Sequence, residues 1–217
     1  MALTPIKAEV LAVKIIPNVT GELAAKMKLA VGQRSIGMLT CNIDDAAYTA
    51  IDEATKKASV QVVYAKSFYA GAAHSSGPFS GEFIGILAGP DPSEVISGID
   101  AAILCLEREA FFYTADEEGK IVFYPHVISR TGSYLSGLAG IPEGQPLAYL
   151  IAPPIESIYA VDAALKAADV QLKAWFGPPT ETNFGGALLT GTQSACQAAA
   201  DAFKDAVLSV AGKPRDF

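Results

Sequence analysis

The residues most able to do chemistry in this sequence are few. Asp44 and Asp45 are adjacent, Cys41 lies just ahead of them, and Glu82 follows further on. Carboxylates gathered at one spot would attract a cation such as a protonated amine and repel anions. An aromatic ring, for which Phe112 is a candidate, could offer its face to the same cation. A plainer reading has Asp44 or Asp45 capping a helix and Glu82 solvated at a strand edge, and the two readings are compatible. Cys41 is either a soft ligand or redox group, or a buried inert thiol. His74, in a Gly-rich stretch, could bind a metal or titrate near neutral pH, whereas His126 reads as a structural or edge residue. No spacing of Cys and His fits a zinc site. No G-x-S-x-G, H-E-x-x-H, P-loop or G-x-G-x-x-G occurs, so no catalytic residue, metal or cofactor is expected, and the chain is not read as an enzyme.

The elements that must position these residues come from a repeat. The thirteen residues Ala50 to Val62 align without gaps on Ala160 to Leu172, with seven identities. Discounting alanines, the matches are Asp52/Asp162, Lys56/Lys166, Val60/Val170 and Gln61/Gln171. Ile51, Ala54, Thr55 and Ala58 recur as Val161, Ala164, Leu165 and Ala168, the i, i+3, i+4, i+7 spacing of one helix face. Short apolar runs precede each match, Ser35 to Thr40 and Leu147 to Ala152, and read as strands. Val60 to Tyr64 and Val170 to Trp175 follow as strands. A Gly-rich loop then leads into Gly81 to Ala88 in one half and Gly185 to Thr190 in the other. Helices from about Pro92 to Glu107 and Gln193 to Val210 close the units, and each half opens on a front strand, Val10 to Ile16 or Ile121 to Val127. The order is β, then β-α-β-β-α, twice, in an α/β (α+β) chain whose boundary falls near residue 109. Asp44-Asp45 is expected to cap the first helix. Pro153-Pro154-Ile155-Glu156, at the corresponding place in the second half, does not duplicate the acidic pair.

The 217 residues are 51% hydrophobic and 18% charged, which excludes a disordered chain. The net charge of −7, without a Lys/Arg run, makes nucleic acid an unsuitable partner. Apolar runs are too short to span a membrane. Met1 to Lys7 lacks the pattern of a secretory signal. Three scattered cysteines make no disulfide framework, and a reducing cytosol is expected.

With these elements placed, the chain resembles the bacterial microcompartment (BMC) shell proteins. A BMC domain opens on a strand like Ala148-Tyr149-Leu150-Ile151 and continues into an Ala-rich helix like Ala160 to Ala168. A strand of the kind seen in Val60-Gln61-Val62-Val63-Tyr64 and Val170-Gln171-Leu172 comes next. Tyr124-Pro125-His126-Val127-Ile128-Ser129-Arg130 resembles the family's final strand but precedes its domain, a circular permutation that occurs twice. Ser129 to Ser136, Tyr149 to Glu156, Pro178 to Phe184, Thr190 to Cys196 and Tyr69 to His74 carry the resemblance further, toward the tandem permuted members of ethanolamine-utilisation compartments.

The resemblance implies two BMC domains, residues 1–108 and 109–217, each a small, mostly antiparallel sheet flanked by helices. It implies a homotrimer that makes a pseudohexameric tile, packed laterally with other shell proteins in the shell of a microcompartment in the cytoplasm. Neither nucleic acid nor membrane is a partner in this reading. A central pore would be gated by Tyr69, Gly71, Phe184 and Gly185, with Gly77, Gly81, Gly177 and Gly186 lending backbone freedom. A smaller pore, lined by Asp44, Asp45, Glu82 and Phe112, would pass a small polar metabolite such as ethanolamine. The alternative is an amine sensor or binding protein built from two ferredoxin-like halves.

Overall fold

The structure, a computed structural model, describes residues 3–69 and 79–215. The first half carries β1 (Pro5–Lys7), β2 (Val10–Ile16), α1 (Gly21–Lys26), β3 (Ser35–Cys41), α2 (Asp44–Lys57), β4 (Gln61–Ser67), β5 (Phe83–Gly89) and α3 (Pro92–Arg108). The second carries β6 (Phe111–Thr114), β7 (Val122–Ile128), α4 (Ser133–Ala139), β8 (Leu147–Ala152), α5 (Pro154–Ala167), β9 (Val170–Phe176), β10 (Gly185–Gly191) and α6 (Gln193–Gly212). The repeated strands and helices stand where the hydrophobic pattern predicts them. The short elements β1, α1, β6 and α4 do not come out of that pattern, because three to seven residues hold too little periodicity to register.

The chain divides into two compact units. One comprises residues 7–110 together with 132–135; the other comprises 1–6, 111–131 and 136–217. The first holds a four-stranded sheet in the order β2-β3-β5-β4, with antiparallel pairing throughout. The second holds the same order in β7-β8-β10-β9, again antiparallel, extended at its β7 edge by β6 and β1. In each unit a helix pair packs together and on the sheet, α2 with α3 and α5 with α6.

Small residues set the spacing between helices and sheet. Ala46, Ala47, Ala50 and Ala54 of α2 are fully buried. At Gly37 of β3 a Cβ would lie 2.6 Å from Val95 Cγ1 of α3, so any side chain there would push the helix off the sheet. Phe123, Leu150, Leu189 and Phe203 form the centre of the second core. Helix starts follow local chemistry: Asp91 accepts a hydrogen bond from Glu94 N at 3.0 Å with Pro92 opening α3, and Thr192 Oγ1 accepts from Ala195 N at 3.1 Å to open α6.

One buried carboxylate organises the unit of residues 7–110. Asp52 of α2 is 1% exposed. Its Oδ2 accepts the Gly132 N–H at 2.7 Å and its Oδ1 the Leu135 N–H at 2.8 Å. One turn along, Thr55 Oγ1 accepts the Ser133 N–H at 3.0 Å. Tyr134 stacks on Tyr48 with ring centres 6.0 Å apart. Residues 132–135 are thereby fastened to one face of α2. Gly132 must be glycine here, since a Cβ would fall 2.2 Å from Thr55 Oγ1. Burial pushes the Asp52 carboxyl above its ordinary range, against the opposing pull of the two N–H donors.

Candidate functional site: an acidic corner at the start of α2

Asp44 and Asp45 do not cap α2, which corrects the sequence expectation. The cap position is Ile43, in extended conformation and without a side-chain hydrogen bond, so the two aspartates form the first turn itself. There Asp44 Oδ1 accepts the Asp45 N–H at 2.9 Å. The positive end of the helix dipole favours carboxylates at this place. Both residues are buried.

Glu82 is delivered to the same corner by backbone pairing. Its N–H donates to Cys41 O at 2.9 Å, and its carbonyl accepts the Phe68 N–H at 3.1 Å. The turn before it needs glycine: Gly81 has φ +59°, and a Cβ would lie 2.0 Å from Cys41 O. Partial burial, then the negative charge of Asp44, holds the Glu82 carboxyl above the usual range. Tyr48, one turn into α2, shares a hydrogen bond of 2.9 Å with Ser67 Oγ. Its phenol is pushed up by burial, with Asp44 and Asp45 adding to the rise. The structure therefore brings Asp44, Asp45 and Glu82 into one electrostatic neighbourhood of negative sign. Tyr48 and Ser67, which the sequence pattern did not single out, belong to it as well. Their signal was the i, i+4 spacing of Tyr48 from Asp44 on a helix face.

Cys41 is not a reactive group. The thiol is fully buried, donates to Ile43 O at 3.1 Å, and is pushed up to about 12 by burial and then by the charges of Asp44 and Glu82. A thiol held protonated is neither a nucleophile nor a ligand at neutral pH. Among the described residues no group of three metal-ligating side chains is assembled.

Phe112 belongs to the other unit. It is 4% exposed, stacked on Tyr124 at 4.9 Å and met edge-on by Phe184 at 6.2 Å. Phe112 and Phe184, predicted for different pores, are thus neighbours. Phe184 ends a tight turn in which Thr180 N donates to Phe184 O at 3.1 Å. Gly185 and Gly186 are buried in β10, where a Cβ on Gly186 would lie 1.8 Å from Leu150 O, so close strand packing alone demands glycine there. Tyr69 stands exposed beyond β4. Gly71, His74 and Gly77 lie outside the described residues. His126 sits in β7 with its ring stacked on Tyr124 at 5.2 Å.

Comparison with known proteins decides the family. The BMC domain pattern matches residues 35–116. A bacterial microcompartment shell protein EutL of Clostridium perfringens (strain 13 / Type A) is 57% identical over 212 residues, covering 98% of both chains. The chain belongs to the bacterial microcompartment shell proteins. The EutL shell protein of Escherichia coli (strain K12) is 50% identical, over 98% of this chain and 97% of its own. The crystal structure of ethanolamine utilization protein EutL from Leptotrichia buccalis C-1013-b superimposes with a TM-score of 0.96 at 58% identity, covering both chains completely. A trimeric shell protein PduB shares the fold at a TM-score of 0.77 and 20% identity, over 94% of this chain and 89% of its own. The BMC shell protein described here is accordingly a structural component of a microcompartment shell in the bacterial cytoplasm, and not an enzyme. Among the described residues no helix is long and apolar enough to cross a membrane.

Proposed function

We propose that this BMC shell protein is a trimeric, pseudohexameric tile of an ethanolamine-utilisation compartment, with residues 1–108 and 109–217 as its two permuted BMC domains. Tiles pack laterally with other shell proteins. The acidic corner of Asp44, Asp45 and Glu82 lines a narrow passage for a small cationic metabolite such as ethanolamine. A larger central pore is gated by Tyr69, Gly71, Phe184 and Gly185. The observation that carries the metabolite part is the negative neighbourhood itself. Burial first, and then the charge of Asp44, raise the Glu82 carboxyl, and Asp44 and Asp45 both add to the burial that raises the Tyr48 phenol; a corner of like charge of this kind would gain from a cation. Similarity over nearly the full chain to EutL shell proteins supports the compartment.

The test is equilibrium binding of ethanolammonium to the purified protein, followed by calorimetry or NMR shifts of the Asp44–Tyr48 amides. The wild type should bind weakly, and the double variant Asp45→Asn with Glu82→Gln should bind at least several-fold more weakly at low salt. Acetate, the control anion, should not bind. Equal response of wild type and variant would remove the acidic corner from the passage. Light scattering on the same samples checks the trimer separately.

A further inference from the structure

A cleft of about 450 Å³ in the unit of residues 7–110 is lined by Lys26, Met27, Lys28, Val63, Tyr64 and Ile86. Its floor is apolar: Ile86 is buried in a small cluster with Ile36 and Ala88, and Met27 and Val63 pack against that cluster. A bulge in β4 brings two adjacent residues to the cleft. Val62 and Tyr64 pair with the consecutive residues Leu87 and Ile86, so Val63 is the extra residue and lines the cleft beside Tyr64. The Tyr64 ring is left 46% exposed. Among the described residues no carboxylate lines the cleft, and neither Lys26 nor Lys28 has an ion-pair partner.

Lys28 is held there against the preference of its backbone. Helix α1 ends in a Schellman turn, in which Lys28 N donates to Ala25 O at 3.2 Å and Leu29 N to Ala24 O at 3.0 Å. The left-handed position of such a turn usually belongs to glycine. Lys28 occupies it at φ +56°, a conformation disfavoured for any residue with a Cβ. The other half shows the ordinary solution. After α4 the same two bonds form, from Gly140 N to Gly137 O and from Ile141 N to Ser136 O, and Gly140 has φ +60°. Strand β9 repeats the bulge of β4, yet carries Lys173 and Ala174 where β4 has Val63 and Tyr64. The scaffold is therefore duplicated, while the lysines at the turn and the ring on the strand stand only in the first half. Nor do the lysines serve to satisfy the helix end, whose last carbonyls already accept the N–H groups of the turn.

We propose that this cleft binds a small aromatic phosphate. The phosphate sits between the Lys26 and Lys28 ammonium groups, two cations for a dianion, and the ring lies against Tyr64 over Met27, Val63 and Ile86. An apolar cleft of this volume with a few convergent polar groups has the general form of a small-molecule site. It favours the charge opposite to that favoured at the acidic corner, and does not depend on the reading of that corner as a passage.

The probe is naphthyl phosphate, titrated into the full-length protein and followed by calorimetry and by the NMR amide shifts of Met27, Lys28, Val63 and Tyr64. Wild type should bind it with shifts at these four amides. Inorganic phosphate and naphthol, each offering one part of the ligand, should bind roughly tenfold more weakly or worse. Lys28→Gly restores the residue the turn prefers, so its melting temperature should equal or exceed that of wild type while its affinity falls about threefold or more. Lys26→Gln combined with Lys28→Gly should lower affinity by about tenfold or more. Tyr64→Ala should weaken naphthyl phosphate and leave the response to inorganic phosphate unchanged. Absence of shifts at these amides in wild type overturns the proposal. So does undiminished affinity in the double lysine variant or in Tyr64→Ala, and so does naphthol binding as tightly as its phosphate ester.

Discussion

Replacing Asp52 by Asn should weaken the protein far more than any surface carboxylate. The side chain is almost fully buried, and its two oxygens accept separate backbone N–H groups at 2.7 and 2.8 Å. Asn keeps the shape but turns one acceptor into a donor. One N–H, that of Gly132 or of Leu135, then faces an NH2 group and loses its partner. A buried donor left unsatisfied costs about 1–3 kcal/mol, and a hydrogen bond to a charged acceptor is worth about 1.5–3 kcal/mol. Against this stands relief of the burial that raises the Asp52 carboxyl above 3.8, so the net loss should be about 2 kcal/mol. Asp52→Ala removes both acceptors and should cost about 3–4 kcal/mol. Urea unfolding at pH 7, followed by fluorescence and circular dichroism together, measures both. Asp201→Asn is the control: its side chain is half exposed beside Lys204, and such pairs are worth about 0–1 kcal/mol. If Asp52→Asn costs no more than Asp201→Asn, the buried carboxylate is not what fastens residues 132–135, and the reasoning fails.

Two further predictions follow from the acidic corner. Gly81→Ala combines a left-handed backbone with a Cβ 2.0 Å from Cys41 O, so it should lose about 2–4 kcal/mol and lower the melting temperature clearly, whereas Gly137→Ala, whose Cβ meets nothing, should not. Glu82 is raised above 4.5 in the folded protein, so the folded state holds its proton more tightly than the unfolded chain does. The stability this contributes is present in full below pH 4.5 and is lost as pH rises through the folded value. Unfolding free energy of the wild type relative to Glu82→Gln should therefore fall with rising pH across that window, and a flat or opposite difference would contradict the placement of Glu82 beside Asp44.

Much of this was legible in the chain itself. Asp52/Asp162 and Lys56/Lys166 mark the duplicated helix, and short apolar runs mark four strands in each half. The expected cap at Asp44-Asp45 lies one position too late, because a cap at Ile43 depends on how β3 turns into α2 rather than on side-chain type. The importance of Asp52 was hidden for a different reason. Its partner Gly132 is 80 residues away, and no local pattern announces a carboxylate that will be buried against backbone donors. Gly185 and Gly186 illustrate a third limit. Glycine before a strand reads equally as a hinge or as a place where backbones touch, and only the 1.8 Å approach to Leu150 O separates the two at Gly186.

The division of the chain has a practical consequence for dissecting it. The unit containing the acidic corner borrows residues 132–135 from beyond its own C-terminal end, and the other unit takes residues 1–6 from before its start. A single proteolytic nick near residue 110 therefore yields no clean domain. The N-terminal piece would carry Asp52 without the N–H donors of Gly132 and Leu135. The C-terminal piece would lack β1, the strand that ends its sheet. Two halves made separately should fold poorly alone and recover when mixed, as fragments do when each holds a segment the other needs.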